Sequence, residues 1–302
     1  MTTHISDAIF DKNISPPSSQ EGFPAEPFLG DDVDTPEWHA ARMVIVGVAA
    51  TVKAEIIHVM YDGYEGDPNK LADVEGVYNL CYTLAKGLGI GGKEALHVIP
   101  YFKGLVPEDS GVSALFVYPQ GHFTVHTFDK KGTVFVDFAV IGKEIANPAE
   151  AIQRAMRSTF EIKRDEIFLR GTNPVDDPAE IPSAFGPHLT FGGQLSPDQM
   201  SLDWMYDFLE KIPKAIGMTP IAPPRVIRST TPEGLTYRDG MAVIAESHIT
   251  IHVDDSGTFL FDIFSCKAFD IESFMQWAES FGLKVDVPTI TLAARGRDFP
   301  RS

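Results

Sequence analysis

The chain contains the same passage twice. Gly121-His122-Phe123-Thr124-Val125-His126, followed by Gly132-Thr133-Val134-Phe135-Val136-Asp137-Phe138, returns as Ser247-His248-Ile249-Thr250-Ile251-His252, followed by Gly257-Thr258-Phe259-Leu260-Phe261-Asp262-Ile263. The offset is 126 residues between His126 and His252 and 125 between Asp137 and Asp262. Upstream, Ile57-His58-Val59-Met60-Tyr61 echoes Pro187-His188-Leu189-Thr190-Phe191. A repeat of this period is a domain-sized unit, so the sequence predicts two related halves. They span residues 41–170 and 184–302, with a linker over 171–183 that contains Gly171-Thr172-Asn173-Pro174 and Asp176-Asp177-Pro178. Residues 1–40, which include Ser15-Pro16-Pro17-Ser18-Ser19 and Gly30-Asp31-Asp32-Val33-Asp34, read as a flexible acidic tail.

Each half reads as strand, helix, strands, hairpin, helix. Alternating β-branched and aromatic residues flank Asp129-Lys130-Lys131-Gly132 and Asp254-Asp255-Ser256-Gly257, the pattern of β-hairpins. Helices are expected over Asn69–Leu88 and Pro197–Ile216, and after the hairpins over Pro148–Phe160 and Ile271–Phe281. The expected fold class is α+β, a sandwich with helices on one face of each sheet. Across 302 residues, 44% hydrophobic and 22% charged is globular composition and excludes disorder along the whole chain.

The longest nearly apolar run, Met43 to Val52, is about half the ~20 residues a membrane helix needs. The first residues lack a basic start and an apolar run, so no secretory signal is expected. With 42 acidic and 25 basic residues the net charge is −17, which repels phosphate backbones and anionic lipid. Nucleic-acid and membrane partners are therefore not expected. Two isolated cysteines, Cys81 and Cys266, suggest neither a disulfide framework nor a zinc site. A cytoplasmic location follows as the expectation.

Gly87-Leu88-Gly89-Ile90-Gly91-Gly92 has dinucleotide-loop spacing, but a helix rather than a strand precedes it, which makes it a helix stop. His122/His126 and His248/His252 have i, i+4 spacing. On a strand that spacing spans roughly 13 Å, too far for one metal ion, and no metal is expected. Cys81 lies in an apolar helical stretch and reads as core.

Ala245-Glu246-Ser247-His248-Ile249-Thr250-Ile251-His252, then Asp262-Ile263-Phe264-Ser265-Cys266, resembles the S-adenosylmethionine decarboxylase family. The resemblance implies a duplicated αββα sandwich and self-cleavage between Glu246 and Ser247. Ser247 would become a pyruvoyl group, the cofactor, which forms a Schiff base with the substrate. The products of cleavage, a β and an α chain, would stay partners. The family's four central residues are the pyruvoyl serine, a cysteine acid, a second serine and a histidine. In the second half the resemblance assigns Ser247 and Cys266, but Asp239 replaces the second serine. In the first half Ser113 and His126 match, whereas Gln120-Gly121 replaces the cleavage pair and Ile141 the cysteine. The losses are complementary, as in a fused pair with one competent and one non-cleaving site. Ser247 and His252, five residues apart, point to opposite faces of one strand, so the histidine expected to serve Ser247 is His126.

The resemblance also implies a small-molecule substrate, S-adenosylmethionine, and a role in spermidine and polyamine synthesis. Phe191 matches a stacking aromatic. Tyr61-Asp62-Gly63-Tyr64-Glu65 resembles the family's acidic segment, which assigns Tyr61, Asp62 and Glu65 to substrate binding. Three departures weaken this grip. Lys130 stands where a glutamate holds the ribose, and an ammonium has donors only. Pro107 replaces the other aromatic, and Gly192-Gly193 lacks the acid. The alternative is a pyruvoyl-dependent decarboxylase of ornithine or arginine. An uncleaved regulatory scaffold is a third reading.

Overall fold

The computed structural model describes residues 56–90, 97–102, 110–143, 145–170, 186–231, 234–245, 247–296 and 299. The expected tail over 1–40 and linker over 171–183, together with Pro107 and Glu246, lie outside the described residues.

Strict alternation builds the layers. In β4 (Gly121–Phe128) all eight residues are buried. Phe123 and Val125 join one apolar core. His122 and His126 meet histidines of the other sheet. Side chains on a strand point alternately to its two faces, so a strand covered on both sides can serve two layers at once.

The first sheet contains β1 (Ile56–Tyr64), β2 (His97–Phe102), β3 (Gly111–Tyr118), β4, β5 (Thr133–Ile141) and β6 (Arg164–Leu169) in the order β2-β3-β4-β5-β1-β6. The second contains β7 (Gly186–Gln194), β8 (Arg225–Thr230), β9 (Thr236–Ile244), β10 (Ser247–Val253), β11 (Thr258–Phe264) and β12 (Lys284–Arg295) in the order β12-β7-β11-β10-β9-β8. Read from the opposite edge, the first order is the second shifted by one repeat. Pairing is antiparallel throughout the described strands.

Helices cover the outer faces. α1 (Pro68–Leu71), α2 (Val74–Gly87) and α3 (Pro148–Phe160) belong to the first half, α4 (Leu202–Ala215) and α5 (Ile271–Ser280) to the second. Leu80, Leu84, Ile152 and Met156 pack with Val59, Phe123, Val136 and Phe138. Phe208, Leu209 and Phe274 pack with Leu189, Ile249, Ile251 and Phe261. Between the sheets lie two further apolar groups, Leu115, Val117, Met241 and Val243 in one, Phe128, Phe135, Phe264 and Phe299 in the other. The fold is α+β, a duplicated αββα sandwich.

Asp73 and Ser201 account for the two places where long expected helices divide. Asp73 accepts the Glu75 N–H and starts α2 afresh after α1. Ser201 accepts the Trp204 N–H and starts α4 after a short turn over Pro197–Gln199. Each such cap stabilises by roughly 1 kcal/mol. The glycine-rich segment after α2 is a helix stop, with Gly89 at φ 67° and the Ile90 N–H donating to the Ala85 carbonyl.

Candidate active site

Corresponding two-residue turns join β3 to β4 and β9 to β10. Tyr118 pairs with Gly121 around Pro119-Gln120, and Ile244 pairs with Ser247 around Ala245-Glu246. Gln120 adopts φ 72°, a left-handed conformation that costs a non-glycine residue about 1 kcal/mol. Gly121 has no room for a side chain, because a Cβ there would lie 2.1 Å from the Ala139 carbonyl oxygen. Ser247 holds the corresponding place in the second half and is fully buried. Its Oγ accepts the Cys266 N–H at 2.8 Å, and the Cys266 thiol donates to the Ala245 carbonyl at 3.4 Å. Serine and cysteine are thus tied to each other and to Ala245.

The other expected pair also forms. Ser113 and His126 are opposite each other on β3 and β4, with Ser113 Oγ 2.9 Å from His126 Nδ1. The described contact of this pair with the second sheet is at His248, the residue after Ser247. His126 Nε2 lies 3.0 Å from His248 Nδ1, and the rings stack with centroids 5.3 Å apart. Alternation along β10 puts His248, Thr250 and His252 between the sheets and Ser247 with Ile249 and Ile251 on the helix side.

Two pseudo-symmetric chains of hydrogen bonds therefore cross the layer. One runs Ser113, His126, His248, Asp137, the last step being 2.9 Å from His248 Nε2 to Asp137 Oδ2. The other runs Asp239, His252, His122. His252 Nδ1 donates to Asp239 at 2.7 Å, and His252 Nε2 lies 2.9 Å from His122 Nδ1. It stops there, since His122 Nε2 is 3.6 Å from Asp137 and has no hydrogen-bond partner. At its outer end Asp239 Oδ2 accepts the Gln120 N–H at 3.3 Å. Asp137 and Asp262 lie in the middle, with His58 Nε2 2.6 Å from Asp137 and His188 Nε2 2.6 Å from Asp262. The repeat marks each of these residues in the sequence, yet their partners lie in the other half, which i, i+4 spacing within one strand does not show.

Burial and charge oppose each other in this layer. Burial alone would raise Asp137, but the ring nitrogens of His58 and His188, 2.6 and 3.1 Å away, hold it well below the usual carboxylate range. Burial pushes His122 down to about 4 and, with His248 and Arg295 nearby, holds His126 well below an ordinary histidine. Burial also lowers His248, but its hydrogen bonds to Asp137 and Asp262 outweigh this and raise it. Asp239 is raised by burial, with His252 opposing.

Two groups of four have donor atoms close enough for a metal ion: His58, His122, Asp137 and Asp262, and Asp137, His188, His248 and Asp262. Their nitrogen–oxygen distances down to 2.6 Å are already hydrogen bonds. Arg295 Nη1 donates to His188 Nδ1 at 3.1 Å, which needs the lone pair of that nitrogen and leaves the proton on Nε2, toward the carboxylates. The aspartates push His188 up to about 9 against the pull of burial. The Arg295 hydrogen bond decides for the neutral ring, because a second proton would face the guanidinium.

The S-adenosylmethionine decarboxylase family model matches residues 57–168 and 198–295, most of the chain and both sheets. The chain belongs to the S-adenosylmethionine decarboxylase family. Among solved structures, an adenosylmethionine decarboxylase from Aquifex aeolicus is 19% identical over 42% of this chain and 97% of its own, with TM-score 0.33. An unknown protein from Galdieria sulphuraria is 12% identical over 80% of this chain and 99% of its own, with TM-score 0.17. No curated protein matches the chain.

The family's decarboxylase chemistry makes the placement of the expected substrate residues informative. Phe191 is fully buried in the second half's outer core, stacked on Phe261 at 4.7 Å. Tyr61 is buried in the first half's outer core, its hydroxyl donating to Asp165 at 3.0 Å. Asp62 is buried between the sheets, where Arg295 Nε donates to it at 2.7 Å. Glu65 is exposed at φ 58°, near Arg164. The structure does not bring these four together. A cavity of about 570 Å³ is lined by Ile141, His252, Gly192 and Gly193, among others. In the repeat its Ile141 and His252 correspond to Cys266 and His126. Among the described residues no helix is long and apolar enough to cross a membrane.

Proposed function

We propose that this member of the family is a pyruvoyl-dependent decarboxylase that cleaves itself between Glu246 and Ser247 and acts on S-adenosylmethionine in polyamine synthesis. The observation that carries this reading is the contact from Asp239 to the Gln120 N–H. Gln120 is the turn residue that corresponds to Glu246, and Ser113 is the residue that corresponds to Asp239. In the repeat Ser113 stands in one chain where Asp239 stands in the other, which supports the Ser113–His126 pair as the one that serves the Glu246–Ser247 bond.

Ser247 Oγ attacks the Glu246 carbonyl carbon. A C–O bond forms, the C–N bond breaks, and the hydroxyl proton passes to the released nitrogen. The Ser113–His126 pair takes the Ser247 α-proton, the Cβ–O bond breaks, and Glu246 leaves as a carboxylate. Water then replaces the nitrogen, which departs as ammonia. The residues around Ser247 fit this group: the Cys266 backbone N–H lies 2.8 Å from its Oγ and the Cys266 thiol bonds the nearby Ala245 carbonyl, whereas Gly121 in the first half admits no side chain. The pyruvoyl carbonyl supplies the electron sink for loss of CO₂. Cys266 Sγ gives the proton to the substrate α-carbon.

A second reading, decarboxylation of ornithine or arginine, is favoured by one observation. Phe191, the matched stacking aromatic, is fully buried against Phe261 in the outer core and offers no free face to an adenine. Intact mass and CO₂ release from a panel of S-adenosylmethionine, ornithine, arginine and lysine test the reading. Two fragments, 1–246 and 247–302, with the second lacking a free amine, are expected, together with CO₂ from S-adenosylmethionine. CO₂ from a basic amino acid instead would transfer the assignment to the second reading. A single uncut chain that releases none would overturn both and leave a scaffold.

A further inference from the structure

The two buried chains contain the same rings in the same order but differ at their ends, and a hydrogen-bond chain has a direction. An ionised carboxylate only accepts, and a neutral imidazole has one donor and one acceptor nitrogen. Direction therefore propagates from any fixed end.

In the chain that ends at Ser113, the fixed end is Asp137. His248 Nε2, 2.9 Å away, must carry a proton and donate. With His248 neutral, its Nδ1 has a lone pair and accepts from His126 Nε2–H at 3.0 Å. His126 Nδ1 is then unprotonated and accepts the Ser113 hydroxyl proton at 2.9 Å. Every donor points inward, and the outer end is left with a base. In the second chain the fixed end is Asp239. His252 Nδ1 donates outward to it, so His252 Nε2 accepts from His122 Nδ1–H. His122 Nε2 is left with a lone pair facing the Asp137 carboxylate. Two acceptors repel, which explains why this contact is 3.6 Å and lacks a partner, where its counterpart on the other side is 2.9 Å.

Resting on the self-cleavage reading, we propose that His248 and Asp137 are positioning residues that keep the outer nitrogen of His126 free to take a proton, and that Asp239 fixes the opposite direction in the second chain. The replacement of serine by aspartate at 239 is then more than a lost residue. It removes the base from the end of the chain that faces Gln120-Gly121 and leaves one hairpin served. Protonation of His248 would reverse the first chain, because its Nδ1 would then donate to His126. The groups facing His248 are Asp137 from β5, Asp262 from β11, His122 and His126 from β4 and His188 from β7. The carboxylates raise His248, so cleavage should accelerate with pH across its titration.

Ring-nitrogen NMR of the Ser247→Ala chain tests the direction without any cleavage. Above the His248 titration, His126 is expected as the Nε2–H tautomer and His252 as the Nδ1–H tautomer. The same tautomer at both overturns the proposal. Cleavage kinetics test its consequence. His248→Phe keeps a ring to stack on His126 but breaks both hydrogen bonds, and should slow cleavage by about a hundredfold and abolish its pH dependence. His122→Phe makes the same change in the second chain and should leave the rate near wild type. Equal slowing by both variants would show a merely structural layer. Unslowed cleavage in His248→Phe would sink the positioning role while leaving self-cleavage intact. An uncut wild-type chain would remove both.

Discussion

Cys266 does two separable things with two different atoms. Its backbone N–H holds Ser247 Oγ at 2.8 Å, and its thiol is directed at the Ala245 carbonyl. Cys266→Ala keeps the first and deletes the second. Cleavage into fragments 1–246 and 247–302 should therefore continue, while CO₂ release falls by roughly 10²–10⁴, the usual share of a positioned proton donor. Ser247→Ala, by contrast, should leave a single chain. Mass spectrometry and a CO₂ assay on the same preparations read both effects. Full decarboxylation by Cys266→Ala would remove the thiol as the acid, and loss of cleavage would show that the thiol, not the N–H, serves Ser247.

At the scale of elements, Gly121 and Ser247 open β4 and β10 with different room around them. Gly121 is locked against Ala139 and the Tyr118 ring, so Gly121→Ser forces the β4–β5 pairing apart. We expect about 1–3 kcal/mol of destabilisation by chemical denaturation and no new cleavage product. A second cut after Gln120 would mean that the serine alone decides which half is processed. Much of this was legible in the sequence, because turns and alternation are local. Asp129–Gly132 and Asp254–Gly257 are the turns they read as, with Gly132 at φ 60° and Gly257 at φ 83°. Less legible were contacts made across the layer, where His126 meets His248 and His122 meets His252 over 122 and 130 residues. Alternation tells which face a residue takes, but not what stands opposite. It did mark Phe191, which shares a strand face with Leu189 and so joins the core beneath α4 and α5. Reading Phe191 from its motif position alone overlooks that signal.

At the scale of the molecule, the two halves meet through a layer whose polar centre is fully buried and whose apolar flanks are small. Its stability must therefore follow the protons it holds. His122 is fully buried and burial lowers it from the ordinary 6.5 to about 4. The unfolded chain thus binds a proton between these values that the folded chain refuses, so stability falls as pH drops from about 6.5 to about 4. At about 1.4 kcal/mol per tenfold change, His122 alone accounts for about 3 kcal/mol over that window. The contribution is absent above 6.5, where the ring is neutral in both states. Denaturant unfolding of the uncut Ser247→Ala chain, with and without His122→Phe, isolates it. His126 and the aspartates titrate in both chains and cancel in the difference. The chain that retains His122 should lose about 3 kcal/mol more on acidification than the one with phenylalanine. Parallel pH profiles would mean that His122 is protonated in the fold, and that its Nε2 bonds Asp137 after all. His122 would then donate to Asp137 and to His252 alike, and the outward direction that Asp239 fixes would stand without an unpaired nitrogen at its inner end.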